Sequence, residues 1–160
     1  MNDKDAIWRP DVTVATIVPR EGRFLLVEER VRDDLVLNQP AGHLEPGESL
    51  FQAAVRETVE ETGWTVELTD FIGAYQWTSP QDGSHFLRFA FGAAATRHDP
   101  TRDLDAGIVR ALWLTREEIA AMSARHRSPM VLCNIDDWIA GRRLPLSAVQ
   151  YMAAQAASTQ

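Results

Sequence analysis

The sequence predicts an α+β or α/β sandwich in which a mixed β-sheet is flanked by helices. Three observations carry this. Runs of β-branched and aromatic residues recur between turn signals, capped helical segments interleave with them, and several strands follow one another too closely for helical crossovers. At 160 residues the chain reads as one domain, 1–160, with its core over about 10–142 and a tail after Gln150 that is expected to fray. It contains no internal repeat, linker or low-complexity segment.

Taken in order, 12–18 (VTVATIV) and 23–29 (RFLLVEE) are strands, and the turn at 19–22 is expected to join them as a hairpin. Residues 35–40 (LVLNQP) are short and extended, because Pro40 disfavours helix at the residue before it. A loop, AGHLEPGE, follows. Ser49 with Gln52 forms a capping-box pattern for a helix over 50–62, and Gly63 suits the left-handed position beyond its end. A second hairpin comprises 66–77, the PQDGS turn and 85–95. After a polar loop at 97–107, 108–114 is a strand, Thr115 with Glu118 caps a short helix, and 128–140 is a last helix entered through Pro129.

Composition narrows the function classes. A formal net charge of -7 with no basic run argues against binding a nucleic-acid polymer, although small anionic substrates remain open if arginines or metal ions offset the repulsion. Cys133 is the single cysteine, which rules out an internal disulfide and reads as a small buried hydrophobe more readily than as a nucleophile. No signal-peptide pattern and no apolar run of membrane-spanning length occurs, so the cytoplasm is the expected location and no membrane partner is expected.

The 56–64 stretch, RETVEETGW, holds the densest chemistry. At about 100° per residue, Phe51, Val55, Val59 and Thr62 gather on one side as the expected buried stripe, while Glu57, Glu60 and Glu61 share an adjoining face. Arg56 lies beside them, one turn before Glu60. Like charges at this spacing repel, and a hard divalent cation such as Mg²⁺ would remove the cost by taking the carboxylates as ligands. A bare ExxEE is nevertheless more often a wet helix face.

The flanking residues reverse that balance. Gly42, Glu48, Arg56, Glu57, Glu60, Glu61 and Gly63 together spell G-x5-E-x7-R-E-x-x-E-E-x-G, and this pattern resembles the Nudix box. The resemblance covers most of the chain and implies the Nudix fold, an α/β/α sandwich with a mixed β-sheet between helices. It also implies hydrolysis of a phosphoanhydride in a nucleotide or related pyrophosphate, with Mg²⁺, or Mn²⁺ in its place, as cofactor. By position, Glu57, Glu60, Glu61 and the Gly42 carbonyl would hold metal, Arg56 would orient the glutamates and Glu48 would be accessory. The stretches QPAGHLE, QW at 76–77, LRFAF at 87–91 and RSP at 127–129 are similar to a bacterial phosphatase branch of the family, which acts on nucleoside di- and triphosphates and on the pyrophosphate of a thiamine-precursor pyrimidine. Two positions depart from the usual pattern. Thr58 stands where an aliphatic is common, with only a small packing effect expected, and Ala41 precedes Gly42 where many members have glycine.

A proton acceptor for the attacking water could come from Glu57 or Glu60, or from Asp103 or Asp105 in the loop before the last strand. Trp77, Phe86 and Phe89 are candidates to stack on a flat base, although aromatics at strand spacing serve the core more often. Arg88 is a candidate phosphate contact, with Arg30 and Arg127 behind it. His43 and His85 have no second ligand at zinc spacing, His98 and His126 read as solvent-facing, and P-loop and GxGxxG signatures are absent. The resemblance implies a monomer or homodimer. The competing class is a non-catalytic nucleotide-sensing or protein-binding domain, which typically loses box glutamates; this chain keeps them all.

Overall fold

The computed structural model describes residues 7–154, so residues 155–160 of the tail expected to fray lie outside the described residues. The first β-branched run forms β1 (Asp11–Ile17), but β1 does not make the expected hairpin with the strand after the turn. Pro19 has no N–H to continue the ladder, and at that point the chain passes to a second sheet. Only a remnant of the hairpin survives: β2 (Pro19–Arg20) pairs with β3 (Arg23–Val31), and the Leu25 N–H donates to the Val18 carbonyl at 3.0 Å. β3 continues through a tight turn, with Arg32 at φ 56°, into β4 (Asp34–Asn38), and is flanked on its other edge by β8 (Ile108–Thr115). This sheet is antiparallel.

β1 instead sits inside the other sheet. It runs parallel to β7 (His85–His98) and antiparallel to β5 (Ala41–His43), while β6 (Trp64–Thr78) closes the order β5-β1-β7-β6. β5 occupies the first residues of the expected loop. The PQDGS turn between β6 and β7 is in place, with Ser79 N–H donating to the Ser84 carbonyl at 2.8 Å. The mixed sheet of the expected sandwich is therefore one of two sheets, and helices pack on both sides.

α1 (Leu50–Thr62) has the expected bounds, the Ser49–Gln52 capping box, and Gly63 at φ 71° beyond its end. It covers one face of β1, β6 and β7 through Val14, Ala53, Ala54, Phe71 and Phe91. α2 (Arg116–Ala121) is capped by Thr115 with Glu118, and α3 (Met130–Ile139) starts after Pro129. A second cluster, including Ile17, Leu26, Leu37, Ile72, Ile119, Val131 and Ile135, joins the two sheets to α2 and α3. Cys133 is exposed, contrary to expectation. The buried positions of α3 near it are Val131, Asn134 and Ile135, spaced three and four apart, and residue 133 falls off that stripe. Among the described residues, no helix is long and apolar enough to cross a membrane.

The buried face of α1 also differs from expectation. Phe51, Val55 and Val59 are only half-buried, whereas Ala53, Ala54, Glu57, Thr58, Glu61 and Thr62 are buried. The small alanines let the helix lie close to the sheet, and that rotation carries two glutamates inward. Thr58 is at 0% exposure, its hydroxyl donating to the Ala54 carbonyl at 2.7 Å and lying 2.8 Å from Thr16 Oγ1. The departure at Thr58 is thus matched by a hydroxyl on β1. Thr58→Val should cost about 1–3 kcal/mol because it strands the Thr16 hydroxyl, and the double variant with Thr16→Val should recover most of that loss. Urea unfolding checks this, and a single variant no less stable than the double would refute the pairing.

Candidate active site

The site begins with a contact between β5 and α1. A Cβ built on Gly42 would lie 2.1 Å from Glu57 Cδ and 2.2 Å from each carboxylate oxygen, so only a glycine admits the carboxylate there. Next to it, Arg56 binds Glu48 with two bonds, Nε to Oε2 at 3.0 Å and Nη2 to Oε1 at 2.7 Å. Its Nη1 donates to Glu57 Oε1 at 2.8 Å and Glu60 Oε2 at 3.0 Å, and Nη2 also reaches the His43 carbonyl at 3.0 Å. One planar cation therefore ties the loop before α1 to two carboxylates on it. The same bonds hold Glu48 below the usual carboxylate range.

Carboxylate oxygens of Glu57, Glu60 and Asp105 lie within 4.8 Å of one another. Asp105 arrives there because its backbone N–H donates to the Glu60 carbonyl at 3.0 Å, pinning the loop before β8 to α1. Asp103 is exposed and outside this group. Glu61 is outside it too. Its Oε2 accepts from the Ala41 N–H at 2.9 Å, and burial, helped by the charges of Glu57, Glu29 and Asp105, pushes its pKa up to about 9. Burial also raises Glu57, against the pull of Arg56. The chemistry of this oxygen-only set suits a hard divalent cation, which would favour the charged forms that burial opposes.

Glu57 and Glu61 also line a cleft of about 720 Å³. Arg88, Trp77 and Phe86 line it. The two aromatic rings stack with centroids 5.7 Å apart and planes 22° apart. Successive strand residues face opposite ways, so Phe89 falls on the other side of β7, where it packs on Phe71. Arg88 is 5% exposed, with Nη1 donating to Gln39 Oε1 at 3.2 Å and Nη2 to Asn38 Oδ1 at 3.4 Å, and burial lowers its pKa to about 10. Arg30 is exposed and does not line the cleft, whereas its neighbours Glu29 and Val31 do. Arg127 lines the cleft, 3.4 Å from Glu29.

Several cleft residues escaped the sequence reading, among them Thr13, Glu29, Asn38 and His126. Glu29 ends an apolar strand run and looks like an ordinary solvated terminus; the register with β4 and β8 that turns it inward is not written locally. His126 is half-buried, not solvent-facing, because its Nε2 lies 2.8 Å from the Ile119 carbonyl. His98 is exposed and stacks on Trp64 at 4.6 Å.

Comparison with known proteins gives the family. The NUDIX domain model matches residues 8–133. Phosphatase NudJ of Escherichia coli strain K12 is 42% identical over 143 residues, spanning 89% of this chain and 92% of that protein, and the NudJ of Shigella flexneri matches to the same extent. A solved NUDIX hydrolase from Nitrosomonas europaea superposes with TM-score 0.88 at 48% identity, over 90% of this chain and 98% of its own. A MutT protein from Methanosarcina mazei Go1, at 21% identity and TM-score 0.69 over 86% of this chain and 100% of that one, shares the fold. With the domain match spanning the two sheets and α1, and NudJ aligned over nearly its whole length, the chain belongs to the Nudix family of phosphoanhydride hydrolases.

Proposed function

We propose that the chain is a Mg²⁺-dependent pyrophosphohydrolase that cleaves a phosphoanhydride bond in nucleoside di- or triphosphates or in related small-molecule pyrophosphates, the thiamine-precursor pyrimidine pyrophosphate included. The observation that carries this reading is the convergence of Glu57, Glu60 and Asp105, the first two held by Arg56 and Glu57 also lining a cleft. Glu57, Glu60 and Asp105 would hold the ion, with Glu61 and the Gly42 carbonyl beside them. Bound there, the ion would neutralise phosphate charge and lower the pKa of an attacking water. The chain's own groups do the rest. Arg56 sets the carboxylate positions, the half-exposed Glu60 and exposed Asp105 are placed to take the water's proton, and Arg88, with the Trp77–Phe86 stack, positions the substrate. The names of the NudJ relatives support a phosphatase activity. We place the enzyme in the cytoplasm as one domain, working as a monomer or homodimer.

Incubation with a panel of nucleoside di- and triphosphates and heterocyclic pyrophosphates should release phosphate with Mg²⁺ and not with EDTA. Release from no member of the panel would overturn the enzyme reading in favour of a nucleotide-sensing domain.

A further inference from the structure

Five buried side-chain atoms find no hydrogen-bond partner among the described residues: Thr13 Oγ1, Glu29 Oε1, Arg88 Nε and both amide atoms of Asn134. The first three belong to residues that line the same cleft, although they come from three strands, β1, β3 and β7. Thr13 and Arg88 are register partners in the parallel β1–β7 ladder, and they are 6% and 5% exposed. Arg88 Nη1 and Nη2 each donate once, to Gln39 and Asn38, and Nε is the guanidinium nitrogen that has no partner. Glu29 is in an ion pair with Arg127 at 3.4 Å that leaves its Oε1 without a hydrogen bond. A buried polar group without a partner destabilises the fold unless a ligand supplies one, and three of them in one cleft point to a ligand with a matching edge.

The polarity of that edge follows from the atoms. An ionised carboxylate accepts only, an arginine nitrogen donates only, and a threonine hydroxyl does either. A carboxylate oxygen at Glu29 calls for a donor, which a phosphate oxygen does not offer and a ring amino group does. Trp77 and Phe86 line that cleft as a stacked pair, a platform for a flat ring. We infer that the cleft reads an amino-substituted heteroaromatic ring by its edge: Glu29 accepts from the exocyclic amino group, and Arg88 Nε–H, with the Thr13 hydroxyl, donates to a neighbouring ring nitrogen or carbonyl oxygen. The inference rests on the reading above that this cleft holds the substrate. It assigns Glu29 as a specificity-determining residue, favouring amino heterocycles such as cytosine or adenine over the corresponding oxo rings.

The test compares pairs that differ at one ring substituent, cytidine against uridine and adenosine against inosine. Turnover is measured on the triphosphates, and equilibrium binding on the monophosphates by calorimetry. The amino member of each pair should be favoured by roughly tenfold or more, since an oxo group facing Glu29 leaves a buried acceptor unmet. Glu29→Gln, whose amide both donates and accepts, should erase that preference. If Glu29→Gln fails to fold, Glu29→Asp, which withdraws the acceptor by one methylene, should lessen it. Equal binding of amino and oxo members by the unaltered protein, or a preference that survives both substitutions, overturns the inference. An amino preference in binding with no turnover on any nucleotide or heterocyclic pyrophosphate would uphold the inference and sink the hydrolase reading instead.

Discussion

Replacing Glu57 and Glu61 together with glutamine should lower Mg²⁺-dependent turnover by about a thousandfold or more while the protein melts no lower in EDTA than the unaltered chain. The two effects have opposite causes. On the proposed mechanism several kcal/mol of transition-state stabilisation would depend on an ion held by these carboxylates, and each factor of ten in rate corresponds to about 1.4 kcal/mol. Glutamine matches glutamate in shape but offers no charge to hold the ion. Stability moves the other way, because Glu57 and Glu61 are only 8% and 7% exposed and burial raises the pKa of both. A carboxyl whose folded pKa lies above its unfolded value favours the protonated native state, so its ionised form weakens the fold increasingly as pH rises above the unfolded value and up to the folded one. Near neutral pH without metal, removing the charge therefore relieves the fold, and the amide oxygen of a glutamine in place of Glu61 can still accept from the Ala41 N–H. Melting curves in EDTA and in Mg²⁺ should show the unaltered protein stabilised by the ion and the double variant indifferent to it. An active double variant, or one that unfolds in EDTA, would sink the assignment.

The parts of this site that were legible in the sequence are those set by local geometry. The bounds of α1, its capping box and the left-handed Gly63 all follow from short-range rules, and each is present. What escaped depended on pairings distant along the chain. The run VTVATIV is apolar without strict alternation, which is the pattern of a strand buried on both faces, and β1 is such a strand, parallel to β7 more than sixty residues later. The turn at 19–22 favours a hairpin locally, but Pro19 cannot continue the ladder. The face that α1 buries is set in a related way. Hydrophobicity alone turns Val55 and Val59 inward, but Ala53, Ala54 and Gly42 allow a close approach that carries Glu57 and Glu61 inward instead. Asp105 and Asp103 are alike as letters in a polar loop, and it is the bond from the Asp105 N–H to the Glu60 carbonyl that separates them. Chemistry overrode pattern in the same place where function resides.

Gly42→Ala should cost about a hundredfold in turnover and little in stability. Its backbone is not in the left-handed region, so alanine fits the local conformation and the effect is that of the methyl group alone. That methyl would lie 2.1 Å from the Glu57 carboxyl carbon, and one of the two must move. The carboxylate is the far end of a flexible side chain, whereas Gly42 is held in the ladder opposite Val14, so Glu57 gives way. In doing so it leaves Arg56 Nη1 and the reach of Glu60 and Asp105, and a misplacement of about 1 Å in such a set is enough for a hundredfold loss. The fold, by contrast, loses a few contacts around Glu57 and gains from the smaller backbone freedom of alanine when unfolded, so the net change should stay within about 1–2 kcal/mol. Phosphate release at saturating Mg²⁺, set beside urea unfolding of the same preparation, separates the two. Wild-type turnover in Gly42→Ala would mean that Glu57 need not sit against this strand, and a collapse in stability would mean that the strand, and not the carboxylate, had moved.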